Sequence, residues 1–301
     1  MLWQHGSMHV ETLDLRFQGT PHVIASFLIH AAGGPVLVET GPGSTLPTLL
    51  DELGARGVRP TDVRHVLVTH IHLDHAGAAG FWARQGARVY VHPAGAPHLI
   101  DPSKLLGSAR RIYGERMDTL WGEVLPAPAE QVVAVEDGAI LDIEGMSIEA
   151  IATPGHAGHH HVYRWGDVAF AGDAAGIRLP HLDWIDLPAP PPEFDREAWR
   201  ASLARMREAG LRTLYRTHFG AGGSVEEELA TFEELLEQGT EWVREMLEQG
   251  LDRDAMVERF GQKMRARAAA TGVSEAALLA YELANPRSMS VDGIARYWRK
   301  R

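Results

Sequence analysis

The chain has 301 residues, 45% of them hydrophobic, and a formal net charge of −11, which suits one large core or one core with an appendage. The acidic balance argues against nucleic acid as a partner, because phosphate contacts need a basic face. The absence of cysteine removes disulfides, thiolate metal sites and cysteine nucleophiles. No stretch reaches the roughly 18–20 apolar residues that span a bilayer, and the N-terminus lacks a basic-then-apolar leader pattern, so the expectation is a cytoplasmic protein without a membrane partner.

In chain order, residues 10–17 and 23–30 read as a strand pair, followed by a short buried strand at 35–39. Gly41-Pro42-Gly43 breaks the chain before a helix near Ser44, with Leu46, Leu49, Leu50 and Leu53 on one face. Residues 65–69 form a β-branched strand, with His70 opening the loop after it. A helix at 76–85 and a strand at 88–92 follow, then short helical pieces over about 93–126. A second strand-rich half runs through 131–136, 139–143, 146–153, 160–165 and 168–171. Residues 188–192 are a proline-rich connector. Asp195 is a good N-cap for a helix with Trp199, Leu203 and Met206 on its inner face, and 211–217 is a strand ending at His218.

Beyond it, Ser224 and Glu227 have capping-box spacing, and Val225, Leu229, Phe232, Leu236 and Val243 continue one apolar stripe. Two or three shorter helices follow, the last ending before Asn285-Pro286, and Arg299-Lys300-Arg301 forms a basic tail. Strand–helix alternation in two halves implies α/β layers. The expected organisation is a catalytic domain at 1–222, with a helical insertion at about 93–126, and a helical extension at 223–301 that forms a cap or a homodimer surface.

The chemistry concentrates in Thr69-His70-Ile71-His72-Leu73-Asp74-His75, which places four metal-capable side chains within six residues, directly after a strand. In extended backbone, positions two apart share a face, so His70 and His72 can grip one ion. Asp74 and His75, in the turn that begins the helix, can reach a second. Borderline metals such as zinc favour this mixture of imidazole and carboxylate.

This motif resembles that of the metallo-β-lactamase-fold hydrolases, and the resemblance extends through three further motifs in the family's order. Thr153-Pro154-Gly155-His156, Phe170-Ala171-Gly172-Asp173 and Thr217-His218-Phe219-Gly220 each stand at the end of a predicted strand. The resemblance implies a four-layer αβ/βα sandwich of two similar halves. It implies a two-metal centre, with His70, His72 and His156 on the first ion, Asp74, His75 and His218 on the second, and Asp173 bridging. Zinc is the first expectation for both ions, with manganese or iron as alternatives. The implied reaction is attack by a metal-bridging hydroxide on a small ester-like substrate (a thioester, a lactone or a phosphodiester), with Asp74 accepting a proton as well as ligating. His160 matches a second histidine of the Pro-Gly-His-x-x-x-His motif and is a further candidate for the reaction, either supporting a ligand or meeting the substrate, whereas His159 and His161 read as strand or loop residues.

The insertion and residues 177–184 are the expected substrate roof. Trp184 would form an apolar wall, Tyr113 belongs to the insertion, and Arg111 or Arg178 would meet a substrate anion. Two other readings stay open. One is a mononuclear iron persulfide dioxygenase of the same fold, using His70, His156 and Asp173. The other is a binding protein in which metal serves only as a structural staple.

Overall fold

The structure, a computed structural model, describes residues 9–180, 182 and 184–301; residues 1–8, where a leader pattern would begin, lie outside the described residues. The chain divides into two compact units, Met1–Ala150 and Ile151–Arg301.

The first unit contains β1 (Val10–Asp14), β2 (Ala25–Ala31), β3 (Gly34–Val38), α1 (Leu46–Ala55), β4 (His65–Leu67), α2 (Leu73–Ala76), α3 (Ala79–Arg84), β5 (Arg88–Val91), α4 (Ala96–Ile100), α5 (Ser103–Tyr113), α6 (Met117–Trp121) and β6 (Val132–Ala134). Strands β1 to β6 form one sheet in sequence order. Its first three strands are antiparallel and the remaining pairings parallel. The change coincides with the helical crossovers, since a parallel pair needs a connection long enough to return to the same edge. Val36, Leu37, Val38, Val66, Leu67, Val89 and Val91 are buried, the continuous apolar reading of strands covered on both faces.

A second sheet runs in the order β7 (Ile140–Ile143), β8 (Met146–Ala152), β9 (His161–Trp165), β10 (Val168–Phe170), β11 (Thr213–Arg216) and β12 (Gly220–Ala221), and the boundary between the units falls within β8. Helix α7 (Arg196–Glu208) connects β10 to the parallel strand β11. Four more helices complete the second unit: α8 (Val225–Glu248), α9 (Arg253–Ala270), α10 (Glu275–Ala284) and α11 (Arg287–Arg299). Their apolar faces join Trp199, Leu203 and Met206 of α7 in one core. Among the described residues no helix is long and apolar enough to cross a membrane.

The local expectations fail in four places, each for a physical reason. The helix expected over 76–85 splits into α2 and α3 because Ala78 N donates to Gly41 O at 3.0 Å and leaves the helical ladder. Ser224 precedes α8, but its side chain makes no capping bond. Helix α11 runs up to Arg299 of the basic tail and buries Val291, Ile294 and Tyr297, leaving Lys300 and Arg301 beyond it. Helix α10 ends at Ala284, before Asn285-Pro286 as expected, but Pro286 is also the N-cap of a further helix, α11, where its missing N–H costs nothing. Strand β12 is two residues long, too short for a periodic signal.

Candidate metal centre

In the first unit the donors follow β4. Residue 39, one past β3, carries Glu39 at φ +64 with its side chain fully buried, a backbone cost that persists only where surroundings enforce it. Its Oε1 accepts from Thr69 N at 3.2 Å, and its Oε2 lies 3.6 Å from His75 Nδ1. Thr40 N and Oγ1 both donate to His75 O, at 2.8 and 3.0 Å. The loop is therefore held at both ends before any metal is considered. His70 Nδ1 meets Thr69 Oγ1 at 3.1 Å, which turns Nε2 toward His72 Nδ1 at 3.0 Å. Two donors of a tetrahedral ion with bonds of about 2.0–2.1 Å lie roughly 3.3 Å apart, so this pair is close to a ligand spacing. On the other side of the loop, His75 Nε2 faces Asp74 Oδ2 at 3.7 Å. His70 and His75 are fully buried.

In the second unit the donors come from three separated segments. The register of β10 with β11 pairs Phe170 with Tyr215, and the same offset matches Asp173 with His218, at the C-terminal ends of two parallel strands. Asp173 presents Oδ2 to His156 Nε2 at 3.3 Å and Oδ1 to His218 Nε2 at 3.8 Å. One carboxylate thus addresses two imidazoles with different oxygens. His156 Nδ1 lies 2.8 Å from the Pro188 carbonyl, which can only accept, so Nδ1 carries a proton and Nε2 is the atom turned to Asp173 Oδ2. A carbonyl-oriented imidazole that presents Nε2 beside a carboxylate is how proteins prepare a metal ligand. Imidazoles and carboxylates are donors that suit divalent zinc, manganese or iron.

His160 is fully buried. Asp173 N donates to its Nε2 at 3.2 Å, which leaves the proton on Nδ1 for Thr153 Oγ1 at 2.8 Å. Its ring holds the backbone of Asp173. The His156 loop rests on α7: Ser202 Oγ donates to Pro154 O at 2.7 Å, and Asp195 N donates to Gly155 O at 2.9 Å. Gly155 has φ +142, and a Cβ there would fall 2.3 Å from Trp199 Cβ, so only glycine lets this loop approach the helix. Trp199 in turn donates from Nε1 to Ala174 O at 2.8 Å, beside Asp173. His159 faces Glu193 at 3.3 Å, and His161 lies in β9.

Of the expected roof residues, Tyr113 ends α5 half-buried and packs edge-on against Trp121 at 5.0 Å. Burial pushes its hydroxyl pKa up, and the charge of Asp74 adds to the effect, so the structure brings it within electrostatic reach of the metal-capable loop. Arg111 is exposed on the same helix. Trp184 is 3% exposed within the core of the second unit, and its carbonyl accepts from Tyr281 Oη at 2.7 Å. Arg178 directs its guanidinium to Glu228 at 3.3 Å. His181 and Asp183 of the expected roof segment lie outside the described residues. A further metal-capable group, His9, Glu11 and His30, lies on the β1–β2 pair; there Glu11 is shared between Arg56 at 2.7 Å and His30 at 2.5 Å, which accounts for it as an ion network. Glu39, Thr40, the Pro188 carbonyl and Trp199 support the site without belonging to any of its motifs. The signal for the first two was a carboxylate and a hydroxyl ending a buried strand before Gly41.

The model of the metallo-beta-lactamase superfamily matches residues 19–218. A metallo-beta-lactamase fold-containing protein of Sulfurisphaera tokodaii is 29% identical over 206 residues, covering 66% of this chain and 74% of that protein. An atrochrysone carboxyl ACP thioesterase of Aspergillus fumigatus is 25% identical over 209 residues, 68% of this chain but 52% of its own length. Among solved structures, a metallo-beta-lactamase family protein of Thermus thermophilus matches with a TM-score of 0.70 at 21% identity, covering 97% of this chain and 93% of that one, which shows a shared fold.

Proposed function

The chain belongs to the metallo-beta-lactamase superfamily, and on that premise we propose that it is a binuclear metal-dependent hydrolase of a small ester-like substrate, with a thioester the first class to test and a lactone or phosphodiester the next. In this reading His70, His72 and His156 hold one ion and Asp74, His75 and His218 the other, with Asp173 shared. The observation that carries it is the Asp173 carboxylate, whose two oxygens face the Nε2 atoms of two different histidines. The thioester preference draws on the similarity to a thioesterase, over a match that spans about half of that protein.

Two divalent ions bound there would supply a water of near-neutral pKa and a Lewis acid for the oxygen that gains charge. The chain's own residues do the rest. Glu39 and Thr40 hold the His75 end of the loop, and the Pro188 carbonyl keeps the His156 proton on Nδ1. His160 fixes the backbone of Asp173. Asp74, the one carboxylate of the His70–His75 stretch, with a side chain 18% exposed, is the group assigned the proton of the attacking water.

The deciding measurement is element-resolved metal content on protein purified without chelator or added metal. About two zinc or manganese ions per chain, with chelator abolishing thioester, lactone or phosphodiester cleavage and metal restoring it, is the expected result. A single iron per chain with oxygen consumption on persulfides overturns the reading in favour of a dioxygenase. Metal loss that lowers melting temperature without any catalytic effect points to a structural staple.

A further inference from the structure

The second unit buries a charge network that this chemistry does not use. Arg216 closes β11 two residues before His218 and is 1% exposed. Its Nη1 lies 2.7 Å from Glu228 Oε2, and its Nε donates at 3.3 Å to the carbonyl of Ala175, two residues past Asp173. The other oxygen of Glu228 lies 3.3 Å from Arg178 Nη1. Arg178 then brackets His218 with its backbone: its N–H donates to His218 O at 2.7 Å, and its carbonyl accepts from Phe219 N at 2.9 Å. The chain is bare where it turns over this network. A Cβ on Gly223, at φ +71, would fall 2.1 Å from Glu228 Oε1, and one on Gly222 would fall 2.6 Å from Arg178 Nη1.

Such a network is a poor way to gain stability. Burial works against the charge of Arg216, and apolar groups of similar volume often stabilise as well or better. Its distinguishing property is direction. One carboxylate in the first turn of α8 reaches, through two guanidinium groups, the segment after Asp173 and both sides of His218. We propose that Glu228 is a positioning residue that, through Arg216 and Arg178, sets the place of His218 relative to Asp173. The proposal builds on the binuclear reading only for its metal readout.

The test compares E228Q with wild type by amide hydrogen exchange on the metal-free protein and by zinc titration against a chromophoric chelator. Exchange at Phe219 and Arg178 is expected to quicken about ten-fold, while Val162 in β9 keeps its wild-type rate. In the titration the weaker zinc step is expected to lose about 10–100-fold in affinity, the usual scale for partners that orient a ligand, with the tighter step unchanged. Unchanged exchange at Phe219 overturns the proposal, as does equal quickening at Phe219 and Val162, which is general loosening. Should E228Q fail to accumulate, R178Q, on a side chain 22% exposed, takes its place with the same readouts. Wild-type protein that binds one ion defeats the binuclear reading, and the exchange result then decides the clamp by itself.

Discussion

The two donor sets solve the same problem in different ways. In the first unit four donors stand on one contiguous stretch, His70 and His72 before α2 and Asp74 and His75 within it, and this short stretch of chain after β4 largely determines where they point. In the second, His156, Asp173 and His218 arrive from three segments far apart in sequence, and each is held by its own partner: Pro188 O for His156, His160 for Asp173, and the Arg178 backbone for His218. A contiguous motif needs local geometry and one anchor, here Glu39. A dispersed set needs a scaffold, and α7 and α8 supply it through Trp199, Ser202 and Glu228. Sensitivity to distant substitution should therefore be concentrated in the second unit.

The largest effect tests whether the two sets cooperate. Asp173→Ala should cut kcat/KM by on the order of 10³-fold or more, the equivalent of several kcal/mol of charge stabilisation, and lower metal content per chain below the wild-type value. Retention of both ions with full turnover would break the picture of a shared carboxylate. Next come the anchors. Glu39→Gln and His160→Gln should each weaken zinc affinity about 10–100-fold, the first acting on the loop donors and the second through Asp173. Competition titration of the two variants sharpens the comparison if different binding steps respond.

A pH experiment isolates the scaffold of the second unit from its metal chemistry. Asp186 is 5% exposed and accepts from Asn285 Nδ2 at 2.9 Å. Burial, with Glu282 adding to it and Arg287 opposing, raises its pKa from 3.8 to about 6. Its folded form binds the proton more tightly than the unfolded chain, so its contribution is complete below pH about 4 and is lost as pH rises through about 6, a change of order 2–3 kcal/mol. Urea unfolding between pH 4 and 7 should show this decline in wild type and its absence in Asp186→Asn. The smallest effect concerns the helix starts. Asp195→Ala removes a real cap bond, 3.0 Å to Ala198 N, and should cost about 1 kcal/mol, whereas Ser224→Ala should stay within a few tenths. Thermal melts of the two variants decide this.

Much of this molecule could be read along the chain. The strands ending at His70, Asp173 and His218 were legible because buried parallel strands are runs of apolar residues, and donors just past their ends have few other reasons to be there. The helix from Asp195 was legible from its cap and inner face, and the bond to Ala198 is present. Where a local signal had a rival, tertiary structure decided. Pro286 carries the same local code at the start of a helix as after its end; it serves as both here, and the burial of Ile294 and Tyr297 makes the second helix. Ser224 and Glu227 have the spacing of a capping box, yet the first turn of α8 is arranged around Glu228 and Arg216.

The site divides along the same line. The sequence by itself determined the fold family and the metal-capable residues, because side-chain chemistry and short spacing are properties of the chain. Only the tertiary structure decided that His160 supports Asp173, that Arg178 turns to Glu228, that Trp184 packs in the core, and that a buried Glu39 stands behind His75. Each of these depends on contacts between residues distant in sequence. Such contacts are selected by how buried polar groups find partners when the whole core closes, and no local pattern encodes them.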